Sequence, residues 1–222
     1  YEISACLVGS EMCIRDRIET TRPELVAYQE ERLAKFVNEN QKLDKGQIVF
    51  AGDSITEFFA LKKYLGREFP LVNRGIAGTD SVWLLEHLKE QVLDLEPSKL
   101  VLLIGINDIG RGYPIRDIVT RISDIIMTVR QESLFTEVYL LSVFPVSEES
   151  QYASKVKIRN NTTVRELNQQ LAVLPGVTYV DLFDYLTDDM GQLNDNYTTD
   201  GLHLSPQGYQ VLAEPIIKEI LE

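Results

Sequence analysis

The sequence predicts an α/β protein built on a parallel sheet, and three observations carry that expectation. Short apolar segments that read as strands alternate with longer segments of helical period. Ile48-Val49-Phe50-Ala51 and Leu100-Val101-Leu102-Leu103-Ile104 are apolar without a break, which suits strands buried on both faces of a sheet. Both runs stop on a glycine, Gly52 and Gly105, and hand over to polar residues at the point where open α/β sheets place their ligands.

Taken in order, Leu25, Val26, Leu33, Phe36 and Val37 recur near helical spacing and predict a helix from Pro23 to about Leu43, with Thr21 as its cap and Pro23 in its first turn. A strand at Gln47–Ala51 follows, with Gly52 supplying a tight turn, and Ile55, Phe58, Phe59 and Leu61 begin a short helix that Gly66 ends. Phe69–Asn73 is the second strand. Thr79 and Asp80 open a helix that runs through Val82, Leu84, Leu88, Val92 and Leu95 to Pro97. Lys99–Ile104 is the third strand, 115–130 a helix, Val138–Val143 the fourth strand, and 154–174 a long helix closed by Pro175-Gly176. Val177–Phe183 is the last strand, 187–202 a polar loop, and Leu204-Ser205-Pro206 starts the final helix. With right-handed crossovers, every strand delivers its carboxyl end to one edge of the sheet. Asp53, Ser54, Gly75, Gly78, Gly105, Asn107, Asp200 and His203 all fall at that edge.

The totals narrow the function. A formal net charge of -12 without a dense basic cluster disfavours nucleic acid and anionic membranes as partners. No apolar stretch approaches the roughly 20 residues that span a bilayer. The only two cysteines, Cys6 and Cys13, precede the first periodic segment, so no disulfide or cysteine-zinc site is expected in the main domain. Residues 1–17 lack the basic start and continuous apolar run of a signal peptide. They resemble adapter read-through and are expected to be a foreign or disordered leader, with residues 18–222 forming one domain and a cytoplasmic location as the working expectation.

Serine attacks an ester only when a base takes its proton, so a role for Ser54 needs a histidine within reach. His87 lies mid-helix and reads as a solvated or packed side chain, whereas His203 stands between a polar loop and a helix start with Asp200 three residues upstream. A carboxylate on one ring nitrogen fixes the tautomer and leaves the other nitrogen to accept a proton. The plainer reading makes Asp53 and Ser54 caps and Asp200 an Asx-turn. Gly78 can present a backbone N–H and the Asn107 amide a second donor to a developing oxyanion. Asp53, Asp108, Asp200 and His203 also suggest a different class, hard ligands of a divalent metal in a phosphoesterase, although no compact ligand motif is present. A third reading is a non-catalytic module that binds an ester or glycan.

Together, Gly52-Asp53-Ser54-Ile55-Thr56, Gly78, Gly105-Ile106-Asn107-Asp108 and Asp200-Gly201-Leu202-His203 resemble the four sequence blocks of the SGNH (GDSL-type) hydrolases, in that family's order. The resemblance spans about Gln47 to Glu222. Within the family it resembles most the bacterial relatives of platelet-activating-factor acetylhydrolase subunits, through its compact length and Asn73-x-Gly75-x-x-Gly78. The Gly-x-Ser-x-Gly elbow of α/β-hydrolases is absent, because Thr56 stands at its second glycine.

The resemblance implies a flavodoxin-like, three-layer α/β/α sandwich with a central five-stranded parallel sheet. It implies Ser54 as nucleophile, His203 as general base and acid, Asp200 as its orienter, and Gly78, Asn107 and the Ser54 N–H as the oxyanion hole, with no metal and no cofactor. The expected activity is hydrolysis of short acyl esters, acetyl esters above all, through an acyl-enzyme. The alternative is a lysophospholipase- or thioesterase-type acyl hydrolase of the same fold. The expected partner is a small ester, such as an acetylated sugar or a phospholipid-like molecule, with a homodimer as the default assembly. The loops 109–114, 145–154 and 187–199, carrying Tyr113, Tyr152 and Tyr197, are expected to shape specificity.

Overall fold

The computed structural model describes Ile18 and residues 20–222, so the expectations for residues 1–17, Cys6 and Cys13 included, lie outside the described residues. In chain order the elements are α1 (Pro23–Asn40), β1 (Ile48–Gly52), α2 (Ser54–Glu57), α3 (Leu61–Tyr64), β2 (Leu71–Gly75), α4 (Ser81–Glu86), α5 (Leu88–Gln91) and β3 (Lys99–Leu103). They continue with α6 (Ile106–Gly110), α7 (Ile115–Glu132), β4 (Glu137–Leu141), α8 (Ala153–Val156), α9 (Asn161–Leu171), β5 (Thr178–Val180) and α10 (Pro206–Ile216).

The five strands are all parallel, in the order β2-β1-β3-β4-β5. The chain first winds from β1 outward to β2 and then crosses back to β3, which makes the carboxyl ends of β1 and β3 the switch point where such sheets hold ligands. Helices flank the sheet: α1 meets α5, α4 meets α7 and α7 meets α9, while α3 packs with α10. The predicted three-layer arrangement is therefore the one observed. Every residue of β1 is buried, as its unbroken apolar run requires. Ile118, Ile122, Ile125, Ile126 and Val129 form the apolar stripe of α7, each fully buried side chain of this size contributing about 1.5–3 kcal/mol.

Several elements depart from the sequence reading. Thr21 does not cap α1; its hydroxyl accepts from Arg111 Nη2 at 2.9 Å, and Pro23 alone marks the helix start. The helix predicted through 79–97 breaks at His87, continues as α5 and ends in a 3-10 turn before Glu96. The breaks leave Leu84, Leu88, Val92 and Leu95 all buried, so packing prevails over continuity of the helix. The helix predicted over 154–174 is divided into α8 and α9 at Lys157, a non-glycine residue with φ of 58°. Asn160 then caps α9 by accepting from the Thr163 N–H at 2.9 Å, a signature that was readable in Asn160-Asn161-Thr162-Thr163. β5 stops at Val180, not Phe183, because the Leu182 N–H leaves the ladder for Ser142 Oγ at 2.9 Å.

Gly52 acts through close approach and not through its turn conformation. A Cβ at this position would collide with the Leu103 carbonyl oxygen and with Thr56 Oγ1, so β1 and β3 come together only around a bare backbone. We expect Gly52→Ala to lower the unfolding free energy by about 2 kcal/mol or more in urea titration; an unchanged midpoint and slope would show that the strands can part at no cost.

Candidate active site

The sheet register brings the sequence-predicted residues to one edge. Gly52 pairs with Gly75 of β2 and with Leu103 of β3, so the segments starting at Asp53, Ile76 and Ile104 leave the sheet at the same level. The Ile76 N–H donates to the Gly52 carbonyl at 2.9 Å and holds the second loop against the first. Asp53 caps α2 by accepting from the Ile55 N–H at 2.9 Å, which fulfils the cap reading for Asp53. Ser54 is not a cap. It is the first residue of α2, and Tyr209 of α10 donates its hydroxyl to the Ile55 carbonyl at 2.7 Å, clamping the turn from the far end of the chain.

Ser54 Oγ lies 2.9 Å from His203 Nε2, and His203 Nδ1 lies 2.7 Å from Asp200 Oδ2. Asp200 Oδ1 also accepts from the His203 N–H at 2.8 Å and the Leu202 N–H at 3.1 Å. The Asx-turn and the carboxylate–imidazole contact are thus the same turn, so the first does not exclude the second. Burial alone would raise the Asp200 carboxyl. The His203 ring and backbone N–H bonds outweigh it and hold the group well below the usual carboxylate range. An ionised carboxylate only accepts, so Nδ1 carries the proton and Nε2 presents a lone pair to Ser54. Lys155 approaches the same carboxylate, Nζ lying 3.6 Å from Oδ2.

Asn107 Nδ2 donates to the Thr79 carbonyl at 2.9 Å, which fastens the Asn107 amide to the loop holding Gly78. Gly78 takes φ of 75°, in the left-handed region, under Leu25 of α1. Among the described residues the Ser54 and Gly78 N–H groups have no intramolecular acceptor. The four groups of the metal reading do not converge. Asp108 is committed to Ser81 and Arg121, Asp200 faces His203, and no group of three or more His, Cys, Asp or Glu ligands forms among the described residues.

The sequence profile of the GDSL-like lipase/acylhydrolase family matches residues 50–211, from the middle of β1 into α10. The chain belongs to this family. That family is described as GDSL-like lipases and acylhydrolases. Among solved structures, a protein of Streptococcus pneumonia described as a platelet activating factor is 38% identical, with a TM-score of 0.84 over 89% of this chain and 94% of that one. A GDSL esterase/lipase of Arabidopsis thaliana is 29% identical, covering 79% of each chain. An N-acylneuraminate cytidylyltransferase of Escherichia coli is 27% identical over 93% of this chain, which spans only 48% of that relative's length.

Sequence reasoning missed the groups that surround these residues. Arg159 is buried between α8 and α9, Gln29 sits under the Gly78 loop, and Glu57 accepts from the Ala77 N–H at 2.6 Å. No motif announces them; the Asn160 cap was the one readable sign that the chain turns at Arg159. In this GDSL-family site Asp53 is the opposite of Asp200. Burial pushes its carboxyl up to about 7, against the pull of the Ile55 N–H and the nearby His203 and Arg159, and Oδ2 has no partner among the described residues.

The folded chain therefore holds a proton on Asp53 that an unfolded carboxyl releases near pH 4. The native state binds more protons between about pH 4 and 7, so this group's contribution is fully present below the unfolded value and is lost as pH rises through that window. Asp53→Asn removes the titration. We expect the stability of Asp53→Asn relative to wild type to rise between pH 4 and 7.5, by an amount on the order of 4 kcal/mol at most, in urea melts across pH; parallel pH profiles would show that Asp53 is ionised throughout.

Proposed function

We propose that this GDSL-family domain is a serine esterase that cleaves short acyl esters, acetyl esters above all, through an acyl-enzyme. The observation that carries the reading is the continuous hydrogen-bond chain Ser54–His203–Asp200, at 2.9 and 2.7 Å. Ser54 Oγ attacks the ester carbonyl carbon while His203 Nε2 takes its proton, and Asp200 stabilises the imidazolium that forms. The carbonyl oxygen becomes an oxyanion, received by the N–H groups of Ser54 and Gly78 and by Asn107 Nδ2. Collapse of the tetrahedral adduct breaks the ester C–O bond, and His203 returns its proton to the departing alcohol. Water then enters by the same route in reverse roles and releases the acid.

Phe58 forms the visible wall of the site, 51% exposed with its ring centroid 5.4 Å from that of His203. An apolar wall beside the proton-transfer ring excludes water from one side and suits a small acyl or alkyl group. The acetyl preference also rests on the similarity to the Streptococcus pneumonia protein described as a platelet activating factor.

Hydrolysis of p-nitrophenyl esters from acetate to palmitate tests both parts. We expect Ser54→Ala to keep its melting transition and lose turnover by about 10⁴-fold or more; retained turnover would falsify the serine mechanism. Acetate and butyrate should turn over faster than palmitate in wild type, and the reverse order would favour a long-chain acyl hydrolase.

A further inference from the structure

We infer that Gln29 and Arg159 are positioning residues that set the two oxyanion donors from behind, by occupying the carbonyl side of each donating amide. The inference rests on the reading of Gly78 and Asn107 as oxyanion donors. Each donor is one end of an amide whose other end is held by a nearly fully buried side chain.

Arg159 is 2% exposed, and its Nη2 donates to Asn107 Oδ1 at 3.0 Å while Nε donates to the Ile106 carbonyl at 2.9 Å. The guanidinium fits there because Gly110 has no side chain; a Cβ at that position would collide with it. The two ends of an asparagine amide are nearly the same size and opposite in polarity, so a free amide could turn over and point an oxygen lone pair at the oxyanion. A guanidinium can only donate, and the Thr79 carbonyl on the other side can only accept. Both neighbours enforce one orientation, with one Nδ2–H fixed on Thr79 and the other left for the reacting oxygen. A cationic donor on Oδ1 also polarises the amide and strengthens its N–H groups as donors.

Gln29 does the same for Gly78. The N–H of Gly78 belongs to the Ala77–Gly78 peptide, and the carbonyl of that peptide accepts from Gln29 Nε2 at 2.9 Å. Gln29 is 3% exposed, one of two buried polar residues of α1 with Asn40, and it lies before the residues matched by the family profile. A Cβ on Gly78 would stand 3.2 Å from Gln29 Nε2 and 2.6 Å from Leu25 Cδ2, so α1 is packed directly on this loop.

A double-mutant cycle with p-nitrophenyl acetate tests the inference, using Asn107→Ala, Arg159→Met, their combination, and Gln29→Met, each checked for its thermal transition. We expect Asn107→Ala to lower kcat about 100-fold. Arg159→Met should lower kcat about 10- to 50-fold with KM changed less than about threefold, and should add less than about threefold when Asn107 is already alanine. Gln29→Met should lower kcat about fivefold or more, again with little change in KM. An Arg159→Met loss that is equal in both backgrounds, or folded Arg159→Met and Gln29→Met enzymes with full kcat, would overturn the inference. Should Arg159→Met fail to fold, Gln29→Met decides alone: retained kcat overturns the positioning role and lowered kcat supports it. If Asn107→Ala itself has no effect, the oxyanion assignment falls first and takes this inference with it.

Discussion

The burial of β1 on both faces is the constraint from which the site follows. A strand with no exposed residue must have partners on each side, and β2 and β3 lie against it in register with Gly52 level with Gly75 and Leu103. The absence of a side chain at Gly52 lets the backbone of β3 and the first turn of α2 close over the strand end. Ser54 is then carried out of the core at a height fixed by the sheet and not by the loop that follows. The loops after β2 and β3 inherit the same height, which is why residues distant in sequence meet without a dedicated scaffold.

Electrostatics divides the labour among the acidic groups of a strongly acidic chain. Asp200 stays ionised because hydrogen bonds from His203 and Leu202 converge on it. Asp53, only one residue before Ser54, is buried with one oxygen capping Ile55 and keeps its proton far more readily. Identical side chains are thus shifted in opposite directions within one site because one is hydrogen-bonded and the other is mainly desolvated. Among the described residues the buried arginines are tied to structural oxygens: Arg159 to Ile106 and Asn107, Arg74 to Glu39 and Asn40.

The parts of this fold that were legible in the sequence are those in which one local rule governs. Unbroken apolar runs marked β1 and β3, and the spacing of Asp200 and His203 suited a turn that presents both side chains together. What was not legible depends on contacts made across the fold. Nothing local distinguishes Gln29 from the other polar residues of α1, yet it alone meets the Ala77 carbonyl. The division of the 154–174 segment at Lys157 runs against its helical period, and it is the turn that lets Arg159 enter the core. The break at His87 has the same character, since the helical pattern continues across it while the burial of Leu88 and Val92 is kept by a change of direction.

The hydrogen bond between Ser54 and His203 joins residues 149 positions apart in the chain. During synthesis at about 5–20 residues per second, His203 leaves the ribosome roughly 7 to 30 seconds after Ser54. In that interval β1 to β5 can pair and bury their apolar faces, but Ser54 lacks the base that the proposed mechanism gives it. On the proposed mechanism the nascent chain therefore passes through a latent period, and the site is complete only when the last polar loop and α10 dock.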